Sequence, residues 1–377
     1  MIQMERKKDI LILMASFAGG GAEKVMIDLL RHFDRNRYRI TIAVLWCYGP
    51  HLKNVPEDIE LLPIFNRAPN FIDNKTRSWR FIHNSRWRNR LWKVLGNRKF
   101  DVTISFMEGQ TALLHSYIMD RARINISWVH SDIKTYWWYK FLMTRSQEKE
   151  IYSRMDAVAC VSEGAREAVC NAVGQLDNLH VVYNIIDRDD INRKADQFTV
   201  KSDRFTIVNM ARLQPEKCQY RLIEMASILK KRGLKFKVWI LGTGDLEEEL
   251  KQKTKQMDVA DCVEFLGFRE NPYPYIKAAD LFLLTSDAEG FSLAICEAMC
   301  LNKPVISTRT AGPEELLAND TGILTGKDPQ EIADNVEKLM TDRSLLAHYA
   351  AAAERKGLSF SPDDTMRKIE SLWEDKL

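Results

Sequence analysis

The chain has no long apolar stretch: nothing in its 377 residues approaches the ~18 unbroken apolar positions of a membrane-crossing helix. Paired cysteines are missing too. The seven cysteines are odd in number and scattered, with no C-x-x-C, so neither a disulfide framework nor a structural zinc site is expected, and a reducing compartment is. Cys296 and Cys300, four apart on one expected helix, read as core packing. There is no fixed-period repeat or low-complexity tract, which excludes a solenoid. No G-x-G-x-x-G is present, which leaves a nicotinamide site poorly supported. Metal-ligand spacing is confined to Asp187-x-Asp189, which borders a polar linker and reads as part of it.

What is there is ordinary for a soluble globular protein, 45% hydrophobic and 28% charged, with length enough for two full cores. The N-terminal ILILMASFAGGGAEK resembles a signal peptide in having charges before an apolar run, but the run is short and leads into a Gly-rich turn and the helical pattern AEKVMIDLLRHF. It reads as a first β-strand, and a cytoplasmic or peripheral protein is expected. Net charge is only +3, yet residues 1–183 carry 27 Lys and Arg against 19 Asp and Glu, a balance of +8, and the remainder 28 against 33, a balance of −5. The basic half predicts a polyanionic surface partner, a membrane or a nucleic acid.

Strand-like and helix-like segments alternate: ILILMASF, ITIAVLW, VTISFM, INISWV, AVACVS and VVYN, then, after a polar stretch from about Asp187 to Arg204, FTIVNMA, FKVWILG, VEFLG, ADLFLLTS and PVIST. This predicts an α/β protein of two doubly wound parallel sheets with crossover helices. Such sheets bind ligands beyond the C-terminal ends of their strands, so a central cleft faced by both domains is the expected site.

The candidates lie in turns after strands. In SDAEGFSLAICEAM, Glu289 precedes a helix read as starting at Ser292, and Glu297 lies inside it. The N–H groups of Phe291, Ser292 and Leu293 suit a diphosphate at the positive end of that helix, whereas a carboxylate at Glu289 suits sugar hydroxyls and one at Glu297 a ribose. In ARLQPEK, a guanidinium (Arg212) and an ammonium (Lys217) suit a diphosphate gaining charge as a leaving group. The GGGAEK turn with Gly20 and Gly21, and LGTGD with Gly242 and Gly244, permit close backbone approach to a ligand or serve as flexible turns. His130 follows INISWV, where its side chain projects toward the cleft or is structural.

Several of these segments together resemble the retaining glycosyltransferases of family 4, with the GT-B architecture of two Rossmann-like domains: VSEGAREAV, VVYNIID, ARLQPEK, LGTGDLEEEL, VEFLGF, and EGFSLAICE followed by KPVISTRTAGPEEL. The resemblance implies an acceptor-binding domain over 1–187, a nucleotide-sugar-binding domain over 200–358, and a terminal helix of about 360–377 packing back on the first domain. It implies that Glu289 contacts the donor sugar, Glu297 the ribose, and the amides of Phe291 to Leu293 the diphosphate. Arg212 and Lys217 would stabilise the departing nucleoside diphosphate, His130 would lie near the transferred sugar, and Gly20 and Gly21 would face donor and acceptor. No metal or other cofactor is implied. The chain departs from the family at Cys218, where glycine is usual after the lysine.

The implied reaction transfers a hexose or N-acetylhexosamine, UDP-linked by preference, to a hydroxyl of a lipid-linked or oligosaccharide acceptor in cell-surface polysaccharide synthesis, with retention. A nucleotide-sugar epimerase or phosphorylase of the same fold, and a non-catalytic membrane or nucleic-acid-binding protein, are the alternatives. Residues 75–99 interleave nine Lys or Arg with Trp79, Trp87 and Trp92 and hold no acid. With no nucleic-acid motif elsewhere, this predicts docking on an anionic membrane at the inner face of the cell membrane, through Arg86, Arg88, Arg90, Trp87 and Trp92. Trp137 and Trp138 are expected to border the acceptor entrance.

Overall fold

Lys8–Met14 becomes β1 because Ile10 to Met14 are all apolar and all buried, the signature of a strand covered on both faces. The structure, a computed structural model, describes residues 6–18, 20–69 and 79–377, side chains of 79–84 excepted. Gly19 of the glycine turn, residues 75–78 of the basic segment and the side chain of Trp79 thus lie outside the described residues. No described helix is long and apolar enough to cross a membrane.

The chain divides into two compact units, Met1–Ile185 with Pro362–Leu377, and Ile186–Ser361. In the first, β1 pairs in parallel with β2 (Tyr38–Trp46), which pairs with β3 (Glu60–Phe65). On its other side β1 pairs with β4 (Phe100–Phe106), followed by β5 (Ala122–Val129), β6 (Ala157–Cys160) and β7 (Leu179–Val181). The order is β3-β2-β1-β4-β5-β6-β7. β3 has no counterpart among the expected strands because ELLPIF contains Pro63, and a proline is tolerated there because β3 is the sheet's edge. The expected strand VVYN shifts: β7 is LHV, and Val182 to Asn184 continue past its end.

The first unit is closed by the end of the chain. Trp373 is fully buried, its ring stacked 6.4 Å from Phe33 and edge-on 6.1 Å from Tyr38. Arg37 pairs with Glu370 at 2.8 Å and Glu374 at 2.6 Å, and the Tyr38 hydroxyl donates to Glu374.

The second unit repeats the plan, with β8 (Phe205–Met210), β9 (Phe236–Leu241), β10 (Val263–Gly267), β11 (Leu281–Leu284), β12 (Val305–Thr308) and β13 (Ile323–Thr325) in the order β10-β9-β8-β11-β12-β13. Both sheets are doubly wound, each with a single reversal of strand order, at β1/β4 and at β8/β11. A reversal splays the two loops that leave its strands and opens room beyond the strand ends. In the second unit those loops are 211–219 and 285–292, which carry Arg212, Lys217 and Glu289.

Candidate active site

The loop after β8 tightens into one 3-10 turn, Pro215–Lys217, in which proline presets the first φ. The loop after β11 runs to Ser292, which caps the helix Leu293–Cys300. The two are stitched side by side: the Asp287 N–H donates to the Glu216 carbonyl at 2.8 Å, and Thr285 Oγ1 to the Lys217 carbonyl at 3.1 Å. This brings Lys217 Nζ to 2.8 Å from Glu289 Oε1, with both side chains largely shielded. Ser286 Oγ donates to the same oxygen at 2.7 Å. Arg212 stands at the start of the same loop with 60% of its side chain exposed and a 3.5 Å contact to Glu216.

Glu297 is buried and accepts the Tyr273 hydroxyl at 3.0 Å. The helix begins at Leu293, one residue later than expected, so Glu297 is its fifth residue, one turn in. Phe291 and Ser292 precede the helix and are buried, and the first-turn N–H groups beginning at Leu293 have no carbonyl partner within the helix. The loop is backed by Gly312, whose N–H donates to the Glu289 carbonyl at 3.1 Å; a Cβ there would lie 2.9 Å from Phe291 Cα. Gly242 and Gly244 are required by packing against the β8 loop: Gly242 has φ 132°, and a Cβ on it would lie 2.0 Å from the Ala211 carbonyl oxygen, one on Gly244 2.3 Å from that of Leu213.

In the first unit Gly20 caps the helix Gly21–His32 with φ −86°, an ordinary value; the Glu23 carboxylate occupies the space a Cβ would fill, at 2.4 Å. His130 immediately follows β5, half-buried, with its ring 4.6 Å from that of Phe106 and Nε2 out of solvent with no hydrogen-bond partner among the described residues. Burial lowers its pKa to about 3, so the imidazole is neutral. Its backbone N–H donates to Glu108 Oε2 at 2.9 Å, and the Ser131 hydroxyl to Glu108 Oε1. Glu108 and Tyr273 are not among the sequence candidates. For Glu108 a signal was present, since Glu108-Gly109 follows β4 as Glu289-Gly290 follows β11. Asp187 caps the helix Arg188–Ala195 by accepting the Asp190 N–H at 2.9 Å, and Asp189 is exposed.

Trp87 is a correction. In the helix Trp79–Leu95 it is buried with Leu91 and Leu95 at four-residue spacing, edge-on to Trp46 at 6.3 Å, and cannot reach a membrane or an acceptor. Arg86 and Arg90 are exposed and place their guanidiniums 5.3 and 4.9 Å from the Phe65 ring. Arg88 lies 5.0 Å over Trp92, which is 41% exposed. Trp137 is half-buried with Arg145 over its ring at 4.1 Å, and Trp138 stands edge-on to Tyr139 at 5.1 Å.

Two family models match in succession, Glycosyltransferase Family 4 over residues 19–190 and Glycosyl transferases group 1 over residues 190–356. The chain belongs to the GT-B group 1 glycosyltransferase family. Among family relatives it is 36% identical over 160 residues to the amylovoran biosynthesis glycosyltransferase AmsK of Erwinia amylovora, covering 40% of this chain and 39% of that one. It is 29% identical over 214 residues to the N-acetylgalactosamine-N,N'-diacetylbacillosaminyl-diphospho-undecaprenol 4-alpha-N-acetylgalactosaminyltransferase of Campylobacter jejuni, covering 56% and 58%. The chain thus spans between about two fifths and three fifths of these relatives' lengths. The fold matches that of Anabaena HepE, crystallised with UDP and glucose, with a TM-score of 0.78 at 21% identity over 98% of this chain and 100% of that one.

Proposed function

We propose that this family member transfers a hexose or N-acetylhexosamine from a nucleotide sugar, with UDP the preferred carrier, to a hydroxyl of a lipid-linked glycan acceptor, with retention and without a metal. The observation that carries the reading is the pairing of Lys217 with Glu289 beside Arg212, at the strand-order reversal of the second unit. A cation for the diphosphate and a carboxylate for sugar hydroxyls then act within one hydrogen bond of each other.

In the proposed step the bond from the anomeric carbon to the diphosphate oxygen breaks, its electron pair leaving with the nucleoside diphosphate. The acceptor oxygen bonds to the same carbon on the same face, and its proton passes to the departing diphosphate. Arg212 and Lys217 stabilise the charge that grows on the leaving group, which takes the place of a metal. Glu289 orients the sugar, Glu297 the ribose, and the N–H groups at Leu293 the phosphates. Gly20 and Gly21, at the start of the helix Gly21–His32, face donor and acceptor, with the Glu23 carboxylate beside Gly20, whereas Gly242 and Gly244 act by letting their loop pack against the one that carries Arg212. The neutral imidazole of His130 suits a sugar or acceptor hydroxyl rather than a phosphate.

The name of the Campylobacter relative supports an acceptor linked to diphospho-undecaprenol, that of the Erwinia relative a role in amylovoran biosynthesis, and the HepE complex supports UDP. We further propose peripheral docking on an anionic inner-membrane surface through Arg86, Arg88, Arg90 and Trp92, with Trp137 and Trp138 near the acceptor, and no binding of nucleic acid. Mass spectrometry after incubation with a panel of nucleotide sugars and polyprenyl-diphosphate sugars tests the reaction, with a glycosylated acceptor expected in excess chelator. Free sugar or sugar phosphate as the sole product, or activity restored only by magnesium or manganese, would overturn it.

A further inference from the structure

Cys218 follows Lys217 with φ 51° and ψ 40°, a left-handed conformation that side chains other than glycine rarely adopt. Such a residue persists where its surroundings over-determine it. Cys218 is almost wholly buried, and Sγ lies 3.1 Å from Asp287 Oδ2 and 3.1 Å from the Pro215 carbonyl oxygen. Asp287 in turn collects Arg221 Nη1 at 2.9 Å and Lys327 Nζ at 2.8 Å on Oδ1. Arg221, itself buried, donates to the Thr285 carbonyl at 2.9 Å. One carboxylate therefore joins the Lys217 turn, the start of the helix Tyr220–Lys231, the Glu289 loop and the segment after β13.

We propose that Cys218 and Asp287 are positioning residues for Lys217, the thiol-to-carboxylate contact holding the left-handed turn in the form that aims Lys217 at Glu289. Burial, with the adjacent Asp287, raises the Cys218 thiol to about 11, so it stays protonated and can donate. Burial alone would raise Asp287, but Lys327, Cys218 and Arg221 outweigh it and bring the carboxyl down to about 2, so it stays an acceptor. The contact is thus complete throughout the neutral range. The chain holds a strained turn rigidly with a side chain where a glycine would adopt it freely, and so restricts where the ammonium can go.

The kinetic part of this inference rests on the transferase reading; the structural part does not. Cys218→Gly relieves the strain and removes the tether, and Cys218→Ser keeps a donor. Cys218→Gly should fold with an unchanged or higher Tm yet lose about tenfold in kcat with little change in donor KM, because the ammonium is no longer held where charge develops. Cys218→Ser should stay within about twofold of wild type, and Asp287→Asn should resemble the glycine variant. Reductive 13C-methylation of the lysines gives a readout free of turnover. The Lys217 resonance, assigned through Lys217→Arg, should be shifted from those of exposed lysines in wild type and Cys218→Ser, and collapse toward them in Cys218→Gly and Asp287→Asn. A wild-type resonance and kcat in both of the latter would overturn the proposal. If the wild type transfers no sugar, the transferase reading fails while the resonance still decides whether Cys218 and Asp287 position Lys217.

Discussion

Lys217 Nζ donates to Glu289 Oε1 at 2.8 Å, and the same oxygen accepts Ser286 Oγ at 2.7 Å, so the carboxylate is held by two donors from two loops. Lysine has three N–H donors, and the contact with Glu289 uses one, which leaves two for phosphate oxygens. Lys217→Ala removes the charge and leaves Glu289 held by Ser286 alone, so it should lower kcat by about a hundredfold, roughly 3 kcal/mol. Arg212→Ala should cost a similar factor with no change in Tm, because Arg212 is mostly exposed and weakly held. Initial rates with a radiolabelled donor measure both. Wild-type kcat in the two variants would remove these residues from the mechanism.

Glu297 binds in the ground state if it binds ribose, so its loss should appear in affinity before turnover. Titration calorimetry with UDP should show Glu297→Ala weaker by about tenfold or more, as for a lost hydrogen bond to a charged group. Tyr273→Phe is the control, since it removes the 3.0 Å bond to Glu297 but no proposed ligand contact. Equal weakening in both would mean that Glu297 acts by holding Tyr273 rather than by touching the nucleotide.

The strands with four or more consecutive apolar residues, β1, β2 and β11 among them, were legible because a strand buried on both faces leaves no other pattern. β3 was not, because Pro63 breaks the strand signal and only the sheet order reveals an edge that tolerates it. The placement of Arg212, Lys217 and Glu289 was legible in kind: charged residues in turns after strands fall at a sheet's C-terminal edge. Their partners were not. Asp287 with Arg221 and Lys327, and Tyr273 with Glu297, meet across 24 to 66 positions of chain, and spacing carries no sign of that. Trp87 misled because its four-residue spacing to Leu91 and Leu95 is buried among arginines that dominate the composition.

The basic helix makes a separable prediction. Liposome co-sedimentation should rise with anionic lipid and fall with salt. Arg86→Gln with Arg90→Gln should weaken binding by ~2 kcal/mol, roughly thirtyfold, at about 1 kcal/mol per cation. Trp92→Ala should weaken binding to anionic and neutral vesicles alike, since its exposed ring offers apolar area rather than charge. Trp87→Ala should instead destabilise the fold by about 3–5 kcal/mol, as for a buried aromatic. Equal partitioning of the wild type into neutral and anionic vesicles would reject docking by charge.

The first unit should be acid-sensitive well above the carboxylate range. Burial lowers His115 to about 4 and His130 to about 3, against 6.5 for a free imidazole. His115 is fully buried, with Nε2 2.9 Å from Asn125 Oδ1 and Nδ1 3.1 Å from Ser105 Oγ, so a charge on the ring would be cut off from water. Below pH 6.5 the unfolded chain binds two protons that the folded chain refuses until about 4 and 3. Their contribution to stability is therefore complete above pH 6.5 and is lost as pH falls from there through the folded values. The slope approaches ~2.7 kcal/mol per pH unit when both unfolded imidazoles are charged and both folded ones are not. Thermal unfolding should show a lower Tm at pH 5 than at pH 7.5, with about two more protons taken up on unfolding at the lower pH. His115→Gln, which cannot titrate, should remove about half of that uptake. An uptake unchanged when both histidines are replaced would show that other groups set the acid sensitivity.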